Sequence, residues 1–362
     1  MKKRQRNWVL HDYLQVNGGA ERLVITLARG LTGFRLGVSG IYSGFSGTGR
    51  AVNCEVISGA TALLPRIPRA LLAFGDSPKF IRQADQVIFS GLYAPLAAVK
   101  QPTGKQIYYC HTPPRFAFDL RQEYLQRASS CMRPVLKLAI GHYRQAYLDS
   151  LRYMDKIIVN SNHVRTRLLE LTGMESQVIY PPIATRSFQY RGDDGYYLSV
   201  ARLEPAKRVE RIVQAFIGLP ERTLVVASGG SQLKKLMTLA NGATNIRFTG
   251  WVNDETLVEL IGRATAVIYI PADEDFGMSA VEAMAAGKPV IGVAAGGLPE
   301  SIIDGATGIL LDADPSPGDV AAAVRQLNSG AVNLMRAACE RRAATFSEDR
   351  FLTSFRSLLA EA

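Results

Sequence analysis

The sequence predicts an α/β chain built from two doubly wound domains, and three observations support this prediction. The chain has 362 residues, which is about two domains at the usual domain size. Short apolar runs alternate with amphipathic stretches in both halves, a pattern typical of parallel strands joined by helices. This alternation stops at Pro181-Pro182 and restarts at residue 195. We therefore expect an N-terminal domain at 1–183, a C-terminal domain at 184–345, and a terminal helix at 346–362 that returns to the first domain.

The first half supplies strand and helix patterns in turn. Apolar runs predict strands in WVLHDYL (8–14), QVIFS (86–90), KQIYYC (105–110) and KIIVNS (156–161). Helical spacing follows in AERLVITLARGL (20–31) and in NHVRTRLLELTG (162–173). The second of these helices is expected to end at Gly173, a typical C-cap residue.

The second half repeats the pattern after the proline pair. Strands are predicted in GYYLSVARL (195–203), TLVVASGG (223–230), NIRFTGWV (245–252), AVIYIPA (266–272) and PVIGVAA (289–295). VERIVQAFIGL (209–219) is the most regular helix between them, and SEDRFLTSFRSLLAEA (347–362) begins with a serine cap. Each half therefore contains enough strands for its own parallel sheet.

Charge divides the chain unevenly. Residues 1–180 hold 24 Lys and Arg against 11 Asp and Glu, whereas residues 181–362 hold 18 against 21. This asymmetry indicates that the first half meets an anionic partner, either a membrane surface, a lipid-linked phosphate or a nucleic acid, unless it is only a basic solvent-exposed surface. The sequence contains no nucleic-acid-binding motif and its basic residues are dispersed, so we expect no nucleic-acid partner.

The N-terminus and the cysteines bear on the compartment. MKKRQRN resembles the start of a signal peptide, but His11 and Asp12 interrupt the apolar stretch that should follow. The sequence has no run of 18 apolar residues, and its four scattered cysteines form no CxxC pair. We expect a cytoplasmic protein that can associate peripherally with the inner face of the cytoplasmic membrane.

Two segments of the basic half are suited to such an interface. Residues 63–72 (LLPRIPRALL) combine bulky apolar residues with arginines, and their prolines disfavour a buried helix. Residues 132–144 (MRPVLKLAIGHYR) form a basic amphipathic stretch. The alternative is that both segments line the interior of the protein.

The segment EDFGMSAVE places two carboxylates at its ends, Glu274 and Glu282. A helix is predicted to begin near Phe276, so that its first N–H groups would lie beside Glu274 and could bind an anion. The alternative is an acidic first turn that only stabilises the helix dipole, with Glu282 exposed to solvent.

Two cations follow the first strand of the second half. Arg202 and Lys207 lie at the end of a predicted parallel strand, where ligands of α/β sheets bind. A guanidinium and an ammonium at this spacing suit a diphosphate, although an exposed turn would use the same residues.

The first half has two comparable positions. Gly18 and Gly19 join the first strand to the first helix, where the backbone can approach a ligand closely, although a lone glycine pair can equally be a simple turn. His111 follows a strand and precedes two prolines, which would place it either in the ligand crevice or in a structural hydrogen bond.

A metal site is not expected. The four histidines have no metal-binding spacing. Of two Asp-x-Asp matches, 273–275 is embedded in the Glu274 segment, and 312–314 lies in a polar loop with no His or Asn partner nearby.

Taken together, these segments resemble glycosyltransferase family 4, whose members have the GT-B fold of two Rossmann-like domains facing across a cleft. The matching segments are GGAER (18–22), SVARLEPAKR (199–208), SGGS (228–231), FTGWV (248–252), EDFGMSAVEAMAAGKPVI (274–291) and GGLPE (296–300). They follow the family's order along almost the whole chain. One departure is Ser199, where the family often has glycine.

The resemblance implies a role for each matching position. Arg202 and Lys207 would bind the donor diphosphate, and Glu282 the ribose hydroxyls. Glu274 and His111 would lie beside the transferred sugar, as catalytic residues together with the two cations. Further donor contacts would come from backbone N–H groups or close backbone approach at Phe276, Gly277, Met278, Gly18 and Gly19.

The resemblance also implies the reaction. Family members retain the anomeric configuration and need no metal or other cofactor, and here the cations would stabilise the charge of the leaving diphosphate. YCHTPPRFAFDL (109–120) is similar to a subgroup of bacterial mannosyl- and rhamnosyltransferases of surface-polysaccharide assembly. We therefore expect a nucleotide-sugar donor, GDP-mannose first, and a lipid-linked or oligosaccharide acceptor. GDP-rhamnose, a UDP-sugar and, less well supported, a sugar-nucleotide epimerase remain open.

Overall fold

The computed structural model describes residues 7–16, 18–45, 52–57, 63–75, 83–100 and 104–361. The chain divides into two compact units. The first comprises Met1–Pro181 with Phe351–Ala362, and the second comprises Pro182–Arg350.

The first unit contains a parallel sheet. Its described strands are β1 (Asn7–His11), β2 (Phe34–Val38), β3 (Cys54–Val56), β4 (Gln86–Ser90), β5 (Lys105–Cys110), β6 (Lys156–Val159) and β7 (Gln177–Val178). They lie in the order β3-β2-β1-β4-β5-β6-β7, and every pair is parallel. Strand order therefore reverses between β1 and β4, which makes the carboxyl ends of these two strands the switch point of the sheet.

Helices cover both faces of this sheet. The first unit contributes α1 (Gly19–Gly30), α2 (Arg66–Gly75), α3 (Arg121–Arg127), α4 (Arg133–Leu151) and α5 (Asn162–Thr172). Because side chains alternate along a strand, Trp8 and Leu10 enter one buried cluster with residues of α4, and Val9 enters another with residues of α1. The sheet is thus buried on both sides, as expected for parallel strands.

The C-terminal helix α12 (Glu348–Ala360) completes the second of these clusters. Its buried residues Phe351, Phe355 and Leu358 pack with Val9, and the ring centroids of Tyr109 and Phe355 are 5.9 Å apart. A chain segment that follows the second unit in sequence therefore belongs to the core of the first.

The second unit repeats the architecture. Its strands are β8 (Tyr196–Ser199), β9 (Thr223–Val226), β10 (Ile246–Phe248), β11 (Ala266–Ile268), β12 (Val290–Val293) and β13 (Gly308–Leu311). They are all parallel in the order β10-β9-β8-β11-β12-β13, with the switch point between β8 and β11. The helices are α6 (Val209–Ile217), α7 (Leu233–Leu239), α8 (Asp254–Arg263), α9 (Met278–Ala285), α10 (Pro317–Gln326) and α11 (Ser329–Ala344).

Most predicted elements are confirmed, but three details differ. The segment at 63–72 enters helix α2, because Pro68 lies in the first helical turn, where its missing N–H costs no helical hydrogen bond. The helix expected near Phe276 begins at Met278, after Gly277 at a φ of 88°. Glu282 is buried, at 3% exposure, so the alternative of a solvent-exposed carboxylate is wrong.

Candidate functional site

The switch point of the second sheet carries a charged cluster. Lys207 lies in the loop after β8, and Glu274 lies in the loop after β11. The ammonium of Lys207 donates hydrogen bonds to Glu274 Oε2 at 2.5 Å and to the Tyr269 hydroxyl at 3.1 Å. The Tyr269 hydroxyl also donates to Glu274 Oε2 at 2.5 Å. The structure therefore brings together two residues that the sequence analysis singled out separately.

Tyr269 was missed by the sequence analysis. It directly follows β11, and burial, with the nearby Glu274 carboxylate second, raises the pKa of its hydroxyl well above the ordinary value. Tyr269 is therefore a hydrogen-bond donor across the physiological pH range. Its position directly after a strand at the switch point was the available signal, but a tyrosine inside an apolar run also reads as core.

Backbone contacts fix the two charged loops to each other. The Ala272 N–H donates to the Ala206 carbonyl at 2.8 Å, one residue before Lys207. On the other side of Glu274, the Gly297 N–H donates to the Glu274 carbonyl at 2.8 Å. Gly296 has a φ of 64°, and a Cβ there would lie 2.4 Å from that carbonyl oxygen. The second glycine turn in the sequence thus supports the backbone of Glu274 closely.

Arg202 lies on the same loop as Lys207 and is exposed. The loop is held by the SGGS turn, since the Leu203 N–H donates to the Gly229 carbonyl at 3.0 Å. Glu204 accepts hydrogen bonds from the Ser231 hydroxyl and N–H, which lower the pKa of Glu204, and Arg202 adds a smaller effect in the same direction. The Arg202 guanidinium thus extends from a turn that these hydrogen bonds hold in place.

The remaining predicted donor residues lie around the start of α9. Phe276 is buried and its ring packs against Phe346, with the centroids 5.4 Å apart. Gly277 is the N-cap of α9, and Met278 is its first residue. Glu282 lies one turn further along the same helix. The short loop from Glu274 to Gly277 connects these four residues to the Lys207–Glu274 pair.

Asp314, in the second Asp-x-Asp segment, has two cationic partners. Asp314 accepts from Arg208 at 3.0 Å and from Arg211 at 2.7 Å, so its carboxylate is committed to two guanidinium groups. Arg208 has a φ of 52° and caps α6, and its backbone conformation turns the chain directly after Lys207. Within the described ranges, no group of three or more His, Cys, Asp or Glu side chains could hold a metal ion.

The switch point of the first sheet carries an uncharged cluster. His11 ends β1, Ser90 ends β4, and His111 directly follows β5. His11 Nδ1 lies 3.0 Å from Ser90 Oγ, and Ser90 Oγ lies 2.8 Å from His111 Nε2. The sequence analysis selected His111 and missed His11 and Ser90, whose only signal is their place at strand ends.

Burial keeps both imidazoles neutral. It lowers the pKa of His11 to about 4 and that of His111 to about 3, and the neighbouring His11 adds to the shift of His111. Asp12, beside His11, accepts hydrogen bonds from the N–H groups of Leu92, Tyr93 and Ala94. These bonds fix the loop after β4 to the end of β1, although burial still raises the pKa of Asp12 to about 6.

The glycine pair lies at the neighbouring helix start. Gly18 is the N-cap residue of α1 and Gly19 is its first residue, as predicted for a strand-to-helix turn. Asn17, the residue before them, lies outside the described residues. Both glycines therefore follow β1, the strand that also carries His11.

Family models match the chain over two consecutive segments. Glycosyltransferase Family 4 matches residues 17–187, and Glycosyl transferases group 1 matches residues 184–345. Among curated relatives, a D-inositol 3-phosphate glycosyltransferase of Mycobacterium sp. (strain KMS) is 37% identical over 157 residues, 41% of this chain and 35% of the relative. Human alpha-1,3/1,6-mannosyltransferase ALG2 is 26% identical over 246 residues, 58% of this chain and 56% of the relative. The chain thus spans about a third to just over half of these relatives.

Solved structures show the same fold over nearly the whole chain. Anabaena Alr3699/HepE in complex with UDP and glucose superposes with a TM-score of 0.74 at 17% identity, covering 98% of this chain and 99% of that one. The lipopolysaccharide-biosynthesis glycosyltransferase WaaG gives 0.69 at 16% identity, covering 98% and 100%. The chain has two parallel-sheet α/β units, and the two family models match it one after the other along the sequence. It therefore has the GT-B fold and belongs to glycosyltransferase family 4.

Proposed function

We propose that this glycosyltransferase moves a hexose, mannose from GDP-mannose, to a lipid-linked or polysaccharide acceptor with retention of anomeric configuration and without a metal. The observation that supports it most is the Lys207–Glu274–Tyr269 cluster at the switch point of the second sheet, with Arg202 on the same anchored loop. Parallel α/β sheets bind their ligands at this place, and two cations there suit a diphosphate.

Charge development determines what these residues would do. As the bond between the anomeric carbon and the diphosphate oxygen breaks, the electron pair leaves with the diphosphate, and positive charge grows on the sugar ring. Arg202 and Lys207 would stabilise the leaving group. The acceptor hydroxyl would bond to the anomeric carbon on the same face and pass its proton to a departing phosphate oxygen.

The contacts of Glu274 favour an electrostatic role for this carboxylate. Its Oε2 accepts hydrogen bonds from Lys207 and Tyr269, and its side chain is 18% exposed. An oxygen that two donors hold is a weaker nucleophile than a free carboxylate, because attack on the sugar would have to break those bonds. We therefore assign Glu274 to positioning Lys207 and stabilising positive charge on the sugar.

The neutral cluster of the first unit suits the acceptor side. His111 is partly exposed and is linked through the buried Ser90 to the buried His11, so it offers a hydrogen-bonding group without charge, which favours recognition of hydroxyl groups over phosphates. We propose that His111 contacts the transferred sugar and that the first unit binds the acceptor. The mannosyltransferase activity in the name of the ALG2 relatives supports the choice of mannose.

A nucleotide panel tests the donor. GDP, UDP and ADP and their sugars are compared by thermal shift and calorimetry, with turnover followed as release of nucleoside diphosphate. GDP-mannose should bind and turn over best, with an α-linked product by NMR and no loss of rate in EDTA. Tighter binding of UDP than of GDP would contradict the donor, and a strict metal requirement would contradict the role given to the two cations.

We also propose peripheral binding of the first unit to an anionic membrane surface. None of the described helices is both long and apolar enough to cross a bilayer. Exposed apolar side chains lie beside the cations of α2 and α4, with Leu63 98% and Leu138 76% exposed. Flotation should show salt-sensitive binding to anionic vesicles, and equal partition into neutral vesicles would contradict the electrostatic basis.

A further inference from the structure

The first unit contains an apolar cavity of about 410 Å³ that none of the roles assigned above uses. Its walls come from α2 (Ile67, Leu71), the loops after β4 and β5 (Leu92, Phe116) and α4 (Leu136, Ile140). Protein interiors close-pack with few voids larger than a water molecule, whereas ligand pockets occupy roughly 300–1,000 Å³. The volume is therefore within the range of ligand pockets.

Two loops that line the cavity begin close to the neutral cluster at the switch point. Leu92 in its wall is two residues beyond Ser90, and Phe116 is five residues beyond His111. The Tyr143 hydroxyl donates to the Leu92 carbonyl at 2.6 Å, which fixes the loop after β4 to α4. The same two loops therefore supply both the polar groups at the strand ends and the apolar wall.

The helices that line this apolar pocket carry an excess of positive charge. The helices α2 and α3 and residues 133–144 of α4 carry one carboxylate, Glu123, and seven cations: Arg66, Arg69, Arg121, Arg127, Arg133, Lys137 and Arg144. Two of these cations are placed at the rim by contacts with it. Arg127 lies over the ring of Tyr124, a wall residue, at 5.3 Å, and Arg121 donates to the Lys137 carbonyl at 3.5 Å, next to Leu136.

We propose that this cavity binds the hydrocarbon chain of a lipid whose phosphate lies among the rim cations, and that this lipid carries the acceptor. The apolar walls match the chain, the cations match the phosphate, and the shared loops lead from the pocket to His111. The inference rests on the proposed function, and it selects a lipid-linked acceptor over a polysaccharide that lacks a lipid.

Calorimetry with dodecyl phosphate, below its micelle-forming concentration, tests the pocket on the full chain without a donor. One molecule should bind per chain, with affinity falling about fourfold for each methylene removed, as expected for chain burial. Inorganic phosphate and the uncharged dodecyl maltoside should bind much more weakly. Binding that is independent of chain length, or equal binding of either comparison compound, would overturn the proposal.

Two variants fill the pocket from opposite walls, and a third is the matched control. Ala139→Trp on α4 and Ile67→Trp on α2 should each weaken dodecyl phosphate binding at least tenfold. Leu334→Trp, at an exposed position on α11 outside the pocket, should change it less than twofold. Unchanged thermal unfolding and nucleotide binding would show that the variants are folded. Wild-type affinity in both filled variants would overturn the proposal.

These experiments distinguish failure of the pocket assignment from failure of the proposed function. A protein that binds nucleotide sugar but not dodecyl phosphate would remain a glycosyltransferase whose acceptor binds elsewhere, and the pocket assignment would be wrong. Chain binding without binding of any nucleotide sugar would support the pocket and contradict the donor site.

Discussion

The carboxyl edges of the two sheets have the same topology but opposite chemistry. In the first unit the switch point carries His11, Ser90 and His111, and burial keeps both imidazoles neutral. In the second unit it carries the Lys207–Glu274 pair, whose side chains are 27% and 18% exposed. The cluster at the first edge therefore offers hydrogen bonds without charge, beside the buried Asp12 carboxyl, whereas the second edge offers charge that solvent or a ligand can reach.

This difference indicates a division of labour. A leaving diphosphate needs cations that are already positioned when the bond breaks, because reorganising charge at that moment costs rate. Hydroxyl groups of a sugar or acceptor need only donors and acceptors of fixed orientation, which the partly exposed His111, held through Ser90 to the buried His11, provides. The two edges can thus be tested separately. The charged edge is tested by turnover, and the neutral edge is tested by removing one hydrogen bond and by changing the pH.

The largest effect is expected at the charged edge. Arg202→Ala, Lys207→Ala and Glu274→Ala should each reduce turnover by on the order of 100-fold or more, because each removes a charge that stabilises the transition state. Nucleoside diphosphate release under saturating donor measures this. The control is Lys235→Ala, whose ammonium pairs with Glu210 at 2.6 Å on an exposed surface. Near-normal rates in all three variants would contradict the division of labour.

A smaller effect is expected at the neutral edge. Ser90→Ala removes the hydroxyl that joins the two imidazoles and should lower kcat by about 2- to 12-fold, the cost of one hydrogen bond, while nucleotide affinity stays unchanged. Ser150→Ala is the matched control, since that buried hydroxyl donates to the Tyr147 carbonyl of its own helix. Ser90→Thr should restore most of the rate. If kcat fell no further in Ser90→Ala than in Ser150→Ala, Ser90 would have only a packing role.

The sequence predicted the charged edge better than the neutral one, for a physical reason. Lys207 and Glu274 are charged residues in loops that follow apolar runs, so their residue types alone suggested chemistry. Ser90 and Tyr269 lie at the ends of apolar runs and resemble core residues, so only strand order shows that they reach a switch point. Strand order depends on pairings between distant segments, and local spacing does not contain it.

The fold class was predictable from the alternation of strand and helix patterns, but several short strands at or near the sheet edges were not. The strands β2, β3, β7 and β13 were missed. Cys54–Val56 is a three-residue strand with two exposed positions, and a strand this short has too few residues to show alternation. The start of α9 moved to Met278, because Gly277 adopts a left-handed conformation that ends the preceding turn. Local signals located the elements, whereas tertiary contacts set their boundaries.

The smallest and most specific effect is a difference in acid stability between the two units. The pKa of His11 is about 4 and that of His111 about 3, both lowered from 6.5 by burial, so between pH 6.5 and 4.5 the unfolded chain binds protons that the folded first unit does not. Stability of the first unit should therefore fall as pH falls through this window. Asp12 opposes the fall, because its pKa of about 6, raised from 3.8, lets the folded state bind one proton first.

With two imidazoles against one carboxyl, the net loss should be on the order of 1 kcal/mol per pH unit. Hydrogen exchange in mild denaturant, followed by mass spectrometry from pH 6.5 to 4.5, measures the unfolding free energy of each unit separately. Amides of β1, β4 and β5 should lose protection while those of β8 and β11 keep theirs, because the lowered carboxyl pKa values of the second unit act below this window. His11→Gln should flatten the slope in the first unit. Equal acid sensitivity of both units, or a slope that His11→Gln leaves unchanged, would show that the neutral edge is not what makes the first unit sensitive to acid.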